Sequence, residues 1–306
     1  MDLAIIAAKQ VAVLFVLIFS GFICVKANIL KTEAKKHFSD LLIYLIIPAM
    51  IINSYLTEFK PEILSNLLQA FVLGTVLVLL GLIVTLICSL KIKDKNAPII
   101  KFTCTFSNAA YMGFPLIEAL FGSEGLIYAS AFVTVYNILL WTIGIAILTK
   151  KTDIKEVAKS ILSTPVLFAV LIGLALFLLR VKVPEIIQKP INNIGSMNTA
   201  LSMIITGILI ASAKFKDIVA NKLLLFVIGV RIFLIPLTCL ALFKALSLSG
   251  TVPAIVLMLE SCPCASITSV FAVKYGYSEN LAAGCVIVTT FLSMLTLPLM
   301  AYIITL

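Results

Sequence analysis

The sequence predicts an all-α integral membrane protein with ten transmembrane helices, and three observations support this fold class. Of its 306 residues, 62% are apolar and only 12% are charged, whereas soluble domains average roughly 45–50% apolar and about 25% charged residues. The apolar residues form runs of about 20, the length that a helix needs to cross a bilayer. The connections between these runs are too short to form an extramembrane domain. These observations exclude a soluble enzyme, a nucleic-acid-binding domain and a disordered chain.

The ten apolar runs follow one another along the whole chain. They are residues 4–25, 38–57, 64–90, 97–120, 125–148, 161–179, 194–213, 222–243, 252–274 and 280–305. The first run opens with Asp2 rather than a basic cluster, is too long for a secretory signal and has no small-residue cleavage site. We therefore expect it to be a resident transmembrane span.

The basic residues are distributed unevenly between alternate loops. The formal net charge is +9, from 23 Lys and Arg against 14 Asp and Glu. Sixteen of the 23 fall on one side, namely Lys26, Lys31, Lys35, Lys36, Lys91, Lys93, Lys95, Lys101, Lys150, Lys151, Lys155, Lys159, Lys214, Lys216, Lys222 and Lys274. Because basic loops stay in the cytoplasm, we predict a multi-pass protein of the cell membrane with both termini outside.

The cysteines and the single histidine do not indicate a metal site or a disulfide. All seven cysteines fall within apolar runs, where a small hydrophobic packing role is expected. His37 stands among lysines at a predicted loop and helix junction, which favours a solvated or interfacial role. We expect no cofactor beyond a possible coupling proton or sodium ion. With no acidic cluster or metal-binding motif, an enzyme embedded in the membrane is disfavoured.

Ten spans suggest that a unit of five helices was duplicated. Because five is an odd number, the second unit would enter the membrane in the opposite orientation. The best internal match joins the loop after span four, residues 121–126, to the loop after span nine, residues 275–281. We therefore predict two inverted five-helix repeats, residues 1–150 and 151–306. Such repeats place binding sites where corresponding helices are broken at mid-membrane.

Spans four and nine are the most polar and the most interrupted of the ten. Span four carries Asn108 near its middle, with Gly113 and Pro115 just beyond, and span nine carries Pro263. Because proline removes a donor, we expect the carbonyl four residues before Pro115 and before Pro263 to lose its partner. An unpaired backbone group costs several kcal/mol in hydrocarbon, so such breaks persist where they are buried or line a wet cavity.

Each break also provides a helix N-terminus whose positive partial charge suits an anionic group, while freed carbonyls could bind a cation. The alternative is a simple proline kink, which we expect at Pro48, Pro236 and Pro298. We predict a site because two breaks fall at equivalent repeat positions beside small polar residues. The predicted substrate-binding residues here are Ser107, Asn108, Tyr111, Gly113, Pro115, Ser261 and Pro263.

Two ionisable residues lie deep within predicted spans. Arg231 follows Lys222 by nine residues, which is on the order of 13 Å along a helix. Glu260 lies at a similar depth from the opposite face. A charge there costs at least ~2.5–3.5 kcal/mol and needs a partner or water. The pair could be structural, Arg231 could be a counter-charge for a bound anion, or Glu260 could titrate or couple a cation.

Further polar residues inside the spans are candidates to line the same cavity. Asn53 in span two and Asn137 in span five belong to this group, and we include both in the predicted substrate site. The alternative is that such residues hold helices together through hydrogen bonds.

Four segments together carry a resemblance to a known family. They are SNAAYMGFPL (107–116), LIYLIIPAMI (42–51), GSMNTALSMIITGILIA (195–211), and Pro263 with the run that ends in FAVKYG (271–276). In this order across ten spans, the sequence resembles the auxin efflux carrier family, which includes plant auxin exporters and bacterial malate- or malonate-type permeases. The long central cytoplasmic loop of the plant exporters is absent here.

The resemblance implies a fold shared with bile-acid symporters and sodium/proton antiporters, in which broken helices four and nine cross. Helices one, two, six and seven would form a scaffold, and helices 3–5 and 8–10 a transport domain that moves as an elevator. By motif match, Asn108, the backbone from Gly113 to Pro115, and Pro263 would contact a substrate carboxylate.

These inferences predict a secondary transporter for a small organic anion. A mono- or dicarboxylate such as malate is expected, with the anion and the lipid bilayer as partners and a homodimer as a possible assembly. The alternative is a sodium-coupled symporter or a cation/proton antiporter on the same fold. Paired acidic residues deep in the transport domain would favour this alternative, and only Glu260 lies that deep here.

Overall fold

The computed structural model describes residues 2–149, 165–212 and 222–304. These parts of the chain are helical apart from turns, connections and one isolated antiparallel bridge. The helices are α1 (Asp2–Lys26), α2 (Ala34–Tyr55), α3 (Pro61–Cys88), α4 (Ala97–Thr105), α5 (Ala109–Thr149), α6 (Pro165–Leu178), α7 (Glu185–Gly195), α8 (Met197–Ser212), α9 (Lys222–Ala245), α10 (Thr251–Glu260), α11 (Ile267–Lys274) and α12 (Glu279–Ile304).

Seven helical segments in the described ranges are long and apolar enough to cross a membrane. These are α1, α2, α3, α5, α7 joined with α8, α9 and α12, while α6 and α10 are apolar but shorter. The prediction of an all-α membrane protein is confirmed. Ten crossings and an inverted repeat stay predictions, and the proposed repeat boundary at residues 150 and 151 lies outside the described residues.

Helix α5 breaks sharply at Gly122, where φ is +65° and ψ is −160°. A Cβ at this position would meet nothing within 4 Å, so glycine is needed for its backbone angle rather than for space. Gly276, in the loop after α11, also has a positive φ of +74°. These two glycines are aligned in the internal sequence match, so the matched loops share an uncommon backbone conformation.

Three wide π-helical turns each end two residues before a proline. They are Leu42–Ile46 before Pro48, Ala109–Gly113 before Pro115 and Ile228–Leu234 before Pro236. Because proline has no N–H to donate to the carbonyl four residues back, the helix widens and its hydrogen bonds reach five residues instead. The simple kinks expected at Pro48 and Pro236 are therefore widened turns, whereas Pro298 stands inside the uninterrupted helix α12.

The helices pack around one continuous apolar core. Helix α1 runs along α8 and α12, α2 packs on α6 and α7, and α3 packs on α5 and α10. The contact between α1 and α8 is very close, because a Cβ on Gly207 would overlap the carbonyl oxygen of Ile18. Helices α10 and α11 lie against this packed body and bring the second interruption next to the first.

Candidate functional site

Two interrupted helices meet in the interior of the protein. One interruption lies between α4 and α5, and the other lies between α10 and α11. Ser107 and Cys264 form an antiparallel bridge between them. The N–H of Asn108 donates to the carbonyl of Pro263 at 2.7 Å, and the N–H of Ala265 donates to the carbonyl of Phe106 at 3.0 Å. Backbone groups that each break removes from its helix are thus paired across the crossing, as burial in a membrane requires.

The first interruption lies at different residues from those that its proline indicates, whereas the second contains its proline. In the first, the helix stops at Thr105, well before Pro115, which stands in the first turn of the resumed α-helix. In the second, Pro263 lies within the break itself, and the carbonyl of Leu259 accepts the N–H of Cys262 at 3.3 Å. The expectation that Pro263 frees the Leu259 carbonyl is therefore wrong.

A cavity of about 390 Å³ opens at the N-terminal ends of α5 and α11. Its lining comes from both interruptions and from the four helices α2, α5, α6 and α11, and comprises Asp40, Ile43, Tyr44, Ile47, Ser107, Asn108, Ala110, Tyr111, Tyr136, Asn137, Leu140, Trp141, Pro165, Val166, Ala265, Ser266, Ile267, Val270, Phe271 and Lys274. The first N–H groups of a helix have no acceptor within it. Two such ends converging on one cavity create positive potential there.

Polar side chains stand where the two helices begin. The Asn108 amide donates to the hydroxyl of Ser266 at 3.2 Å, which links the start of α5 to the start of α11. The Ser107 hydroxyl is buried and has no hydrogen-bond partner among the described residues. An amide, two hydroxyls and the helix N-termini are neutral hydrogen-bonding groups of the kind that bind a carboxylate.

Arg231 lies on the other side of the crossing and is fully buried. Its Nε donates to the carbonyl of Cys262 at 3.1 Å, and its Nη1 lies 3.3 Å and 3.2 Å from the carbonyls of Cys104 and Thr105. The same Nη1 contacts Glu260 Oε1 at 2.9 Å. The guanidinium therefore caps the C-terminal ends of both α4 and α10, where the helix dipoles are negative.

Glu260 is as deeply buried as Arg231. Helix α3 passes so close that a Cβ on Gly81 would lie 3.1 Å from Glu260 Oε1. The second carboxylate oxygen, Oε2, and the Arg231 Nη2 are buried without partners among the described residues. The pair is a direct buried ion pair that belongs to the helix crossing rather than to the cavity.

The structure brings together part of the predicted substrate site. Ser107, Asn108, Tyr111 and Asn137 line the cavity, whereas Gly113, Pro115, Ser261, Pro263 and Arg231 lie outside its lining. The Ser261 hydroxyl donates to the Leu257 carbonyl at 2.7 Å, within its own helix. Asn53 is also outside the cavity, and its amide donates to the side chain of Asn192 on α7 at 3.2 Å.

Several cavity residues were not singled out from the sequence. Ser266 immediately precedes α11, the position where serine commonly begins a helix, and that signal could have identified it. Lys274 and Asp40 are the charged residues in the lining. They come from segments far apart in sequence, so their proximity to one cavity could only be seen in the fold. Among the described residues, no group of His, Cys, Asp and Glu could hold a metal ion.

The sequence pattern of a family described as "Membrane transport protein" matches residues 6–301. An "Uncharacterized transporter" from Methanocaldococcus jannaschii is 25% identical over 305 residues, which cover 96% of this chain and 97% of that protein. A "Putative malonate transporter" from Rhizobium meliloti is 22% identical, with 95% of this chain and 93% of that protein covered. A mouse "Lysosomal cholesterol signaling protein" is 19% identical over 95% of this chain and 36% of its own length.

Proposed function

The chain belongs to the membrane transport protein family, and we propose that it carries a small organic anion, a mono- or dicarboxylate, across the cell membrane. The resemblance to auxin efflux carriers is confirmed by this membership. The proposal that the substrate is an anion rests on one observation. The cavity lies at two converging helix N-termini and is bordered by Asn108 and Ser266.

The site suits an anion of modest size. Two helix N-termini provide positive potential without requiring a charged side chain at the binding point, and each is worth typically 0.3–1 kcal/mol toward a negative group. The cavity volume of about 390 Å³ falls within the range of small-molecule sites. Among the described lining residues only Asp40 and Lys274 are charged, so the dipoles and neutral donors dominate the binding point.

The relative named for malonate transport supports a short dicarboxylate as the first substrate to test. Malonate and malate would each place one carboxylate against Asn108 and the two helix ends. The neighbouring aromatic side chains, including Tyr111, Tyr136 and Trp141, would cover the carbon chain. This arrangement favours an anion with a compact apolar part over an inorganic anion.

Transport would proceed by alternating access of this single site. In this proposal, α3–α5 and α9–α12 form a domain that moves as an elevator against α1, α2 and α6–α8. The packing of α3 on α5 and α10, and of α2 on α6 and α7, supports this division. Lys274 belongs to the basic loops that we assign to the cytoplasm, so the present conformation would face inward.

Uptake into proteoliposomes tests the proposal directly. Purified protein should accumulate radiolabelled malonate or malate under an imposed membrane potential, whereas protein-free liposomes should not. Acetate, citrate and indole acetate complete the panel. If no member of this panel is taken up and none raises the thermal midpoint of the protein, the assignment to small carboxylates is wrong, since a binder stabilises the folded state by mass action.

The substitution Asn108→Ala tests the position of the site. It removes the amide that we propose donates to the substrate carboxylate, and loss of one hydrogen bond to a charged group costs about 1.5–3 kcal/mol, or roughly 10- to 100-fold in affinity. Asn193→Ala is the matched control, because Asn193 is exposed on α7. Unchanged uptake and binding in Asn108→Ala would contradict the site, while equal losses in both variants would indicate a general folding defect.

A further inference from the structure

The Arg231 guanidinium is held by a set of oxygen atoms that resembles the environment of a bound cation. The set consists of the carbonyls of Cys104, Thr105 and Cys262 and one carboxylate oxygen of Glu260, all within 3.3 Å of a guanidinium nitrogen. In transporters with broken helices, such carbonyls at half-helix C-terminal ends coordinate a coupling sodium ion or proton. Here the same kind of group is directed at a side chain of the protein.

The charges at this place require a cation. The C-terminal ends of α4 and α10 each contribute about half a negative charge, and the Glu260 carboxylate contributes a further full negative charge. Bulk solvent does not screen them, because both Arg231 and Glu260 are completely buried. Among the described residues, Arg231 is the cationic side chain that contacts these oxygen atoms.

We propose that Arg231 is the resident cation of the helix crossing and occupies the position that a coupling sodium ion would otherwise take. The inference rests on the proposed transport function. It has two consequences. The carrier moves its anion without binding sodium, and removal of the Arg231 side chain uncovers an oxygen-lined site for a monovalent cation beside Glu260.

The π-helical turn of α9 gives this role a structural basis. Arg231 is the fourth residue of the turn Ile228–Leu234, which precedes Pro236. The wider turn shifts the register of the residues that face the crossing, and such turns recur at functional sites. Arg231 therefore acts as a positioning residue, because it holds the ends of α4 and α10 while their continuations, α5 and α11, form the cavity.

Stability measurements in different salts test the cation site without any substrate. The thermal midpoint of purified wild-type protein should be the same in sodium chloride and in choline chloride at equal ionic strength. Arg231→Ala should have a lower midpoint in choline, and sodium should raise it in a concentration-dependent manner, because an ion that binds only the folded state stabilises it. The double variant Arg231→Ala/Glu260→Ala should lose this response.

Arg231→Lys is the charge-conserving control. It should show no sodium response, since an ammonium group still fills the position, although it cannot reach all the oxygen atoms that the planar guanidinium does. If Arg231→Ala folds and sodium has no more effect on it than on wild type, the proposed cation site is wrong. If Arg231→Ala does not fold, the thermal midpoints of wild type and Arg231→Lys in sodium and in choline provide the test. A higher midpoint in sodium for either protein overturns the proposal.

Flux measurements separate this inference from the proposed function. Wild-type uptake of malonate should proceed at equal initial rates in sodium and choline media at one membrane potential. Uptake that requires sodium would overturn the inference and leave the transport function intact. If no carboxylate is taken up in either medium, the transport proposal fails, and the salt dependence of stability still decides whether Arg231 fills a cation site.

Discussion

At the scale of single residues, the positions of Arg231 and Glu260 favour a structural role over a role in substrate binding. The sequence left three roles open for these residues, since burial cost alone cannot say which partner compensates a charge. The structure pairs them at 2.9 Å and directs three backbone carbonyls at the guanidinium. Neither residue lines the cavity. The arrangement therefore favours a role in holding the crossing together.

The substitution Glu260→Gln should strongly destabilise the protein. It leaves Arg231 buried beside the negative helix ends without its full counter-charge, and removal of one partner of a buried pair typically costs 3–5 kcal/mol. Thermal and denaturant unfolding in detergent would measure this loss. A Glu260→Gln variant as stable as wild type would contradict the structural importance of the pair.

At the scale of elements, prolines and glycines determine where helices widen, bend and touch. Pro48, Pro115 and Pro236 each follow a π-helical turn, and Gly122 takes a positive φ that breaks α5. Gly207 has a different purpose, because it allows the backbones of α1 and α8 to approach. Small residues at such contacts are typical of helix packing in membranes.

Substitution of Gly207 by alanine should therefore separate α1 from α8. The added methyl group would overlap the Ile18 carbonyl, and overpacking of this kind typically costs 1–3 kcal/mol. Gly229→Ala is a matched control, because a Cβ at Gly229 has no neighbouring atom within 4 Å and its φ is not positive. Unfolding in detergent should show a loss of stability in Gly207→Ala alone. Equal stability of the two variants would disprove the close helix contact.

Much of this element-scale structure could be predicted from the sequence, and the errors have physical reasons. The apolar runs predicted the positions of the helices well, because the thickness of the bilayer sets the length of a crossing helix. The interrupted segments were identified by their polar residues and prolines. The exact break could not be read from Pro115, since a helix can absorb a proline by widening. Ser107 and Asn108 were found through their position in a polar segment, whereas Lys274 and Asp40 reach the cavity only through tertiary packing.

At the scale of the whole molecule, the predicted orientation in the membrane rests on the charge distribution. The segment between α3 and α4 carries Lys91, Lys93 and Lys95, and Lys274 ends α11. Basic segments of this kind are retained in the cytoplasm. The cavity has Lys274 in its lining, so orientation and the proposed inward-facing state depend on the same charges.

Fusion proteins would test the predicted orientation. Alkaline phosphatase attached after Leu306 should be active in a bacterial host, because both termini are predicted to lie outside and this enzyme requires an oxidising compartment. The same enzyme inserted between Lys93 and Lys95 should be inactive, and a green fluorescent protein there should be bright. The opposite pattern would reverse the orientation and the side to which the cavity opens.

The bridge between Ser107 and Cys264 has a consequence for how the chain is made. Asn108 and its partner Ser266 are 158 residues apart. At a synthesis rate of about 5–20 residues per second, the earlier segment waits on the order of 10–30 s for the later one to leave the ribosome. During this interval the peptide groups of the first interruption have no hydrogen-bond partner in the nascent protein. Because an unpaired backbone group costs several kcal/mol in hydrocarbon, we expect the first interruption to stay out of contact with lipid until residues 263–266 have been made.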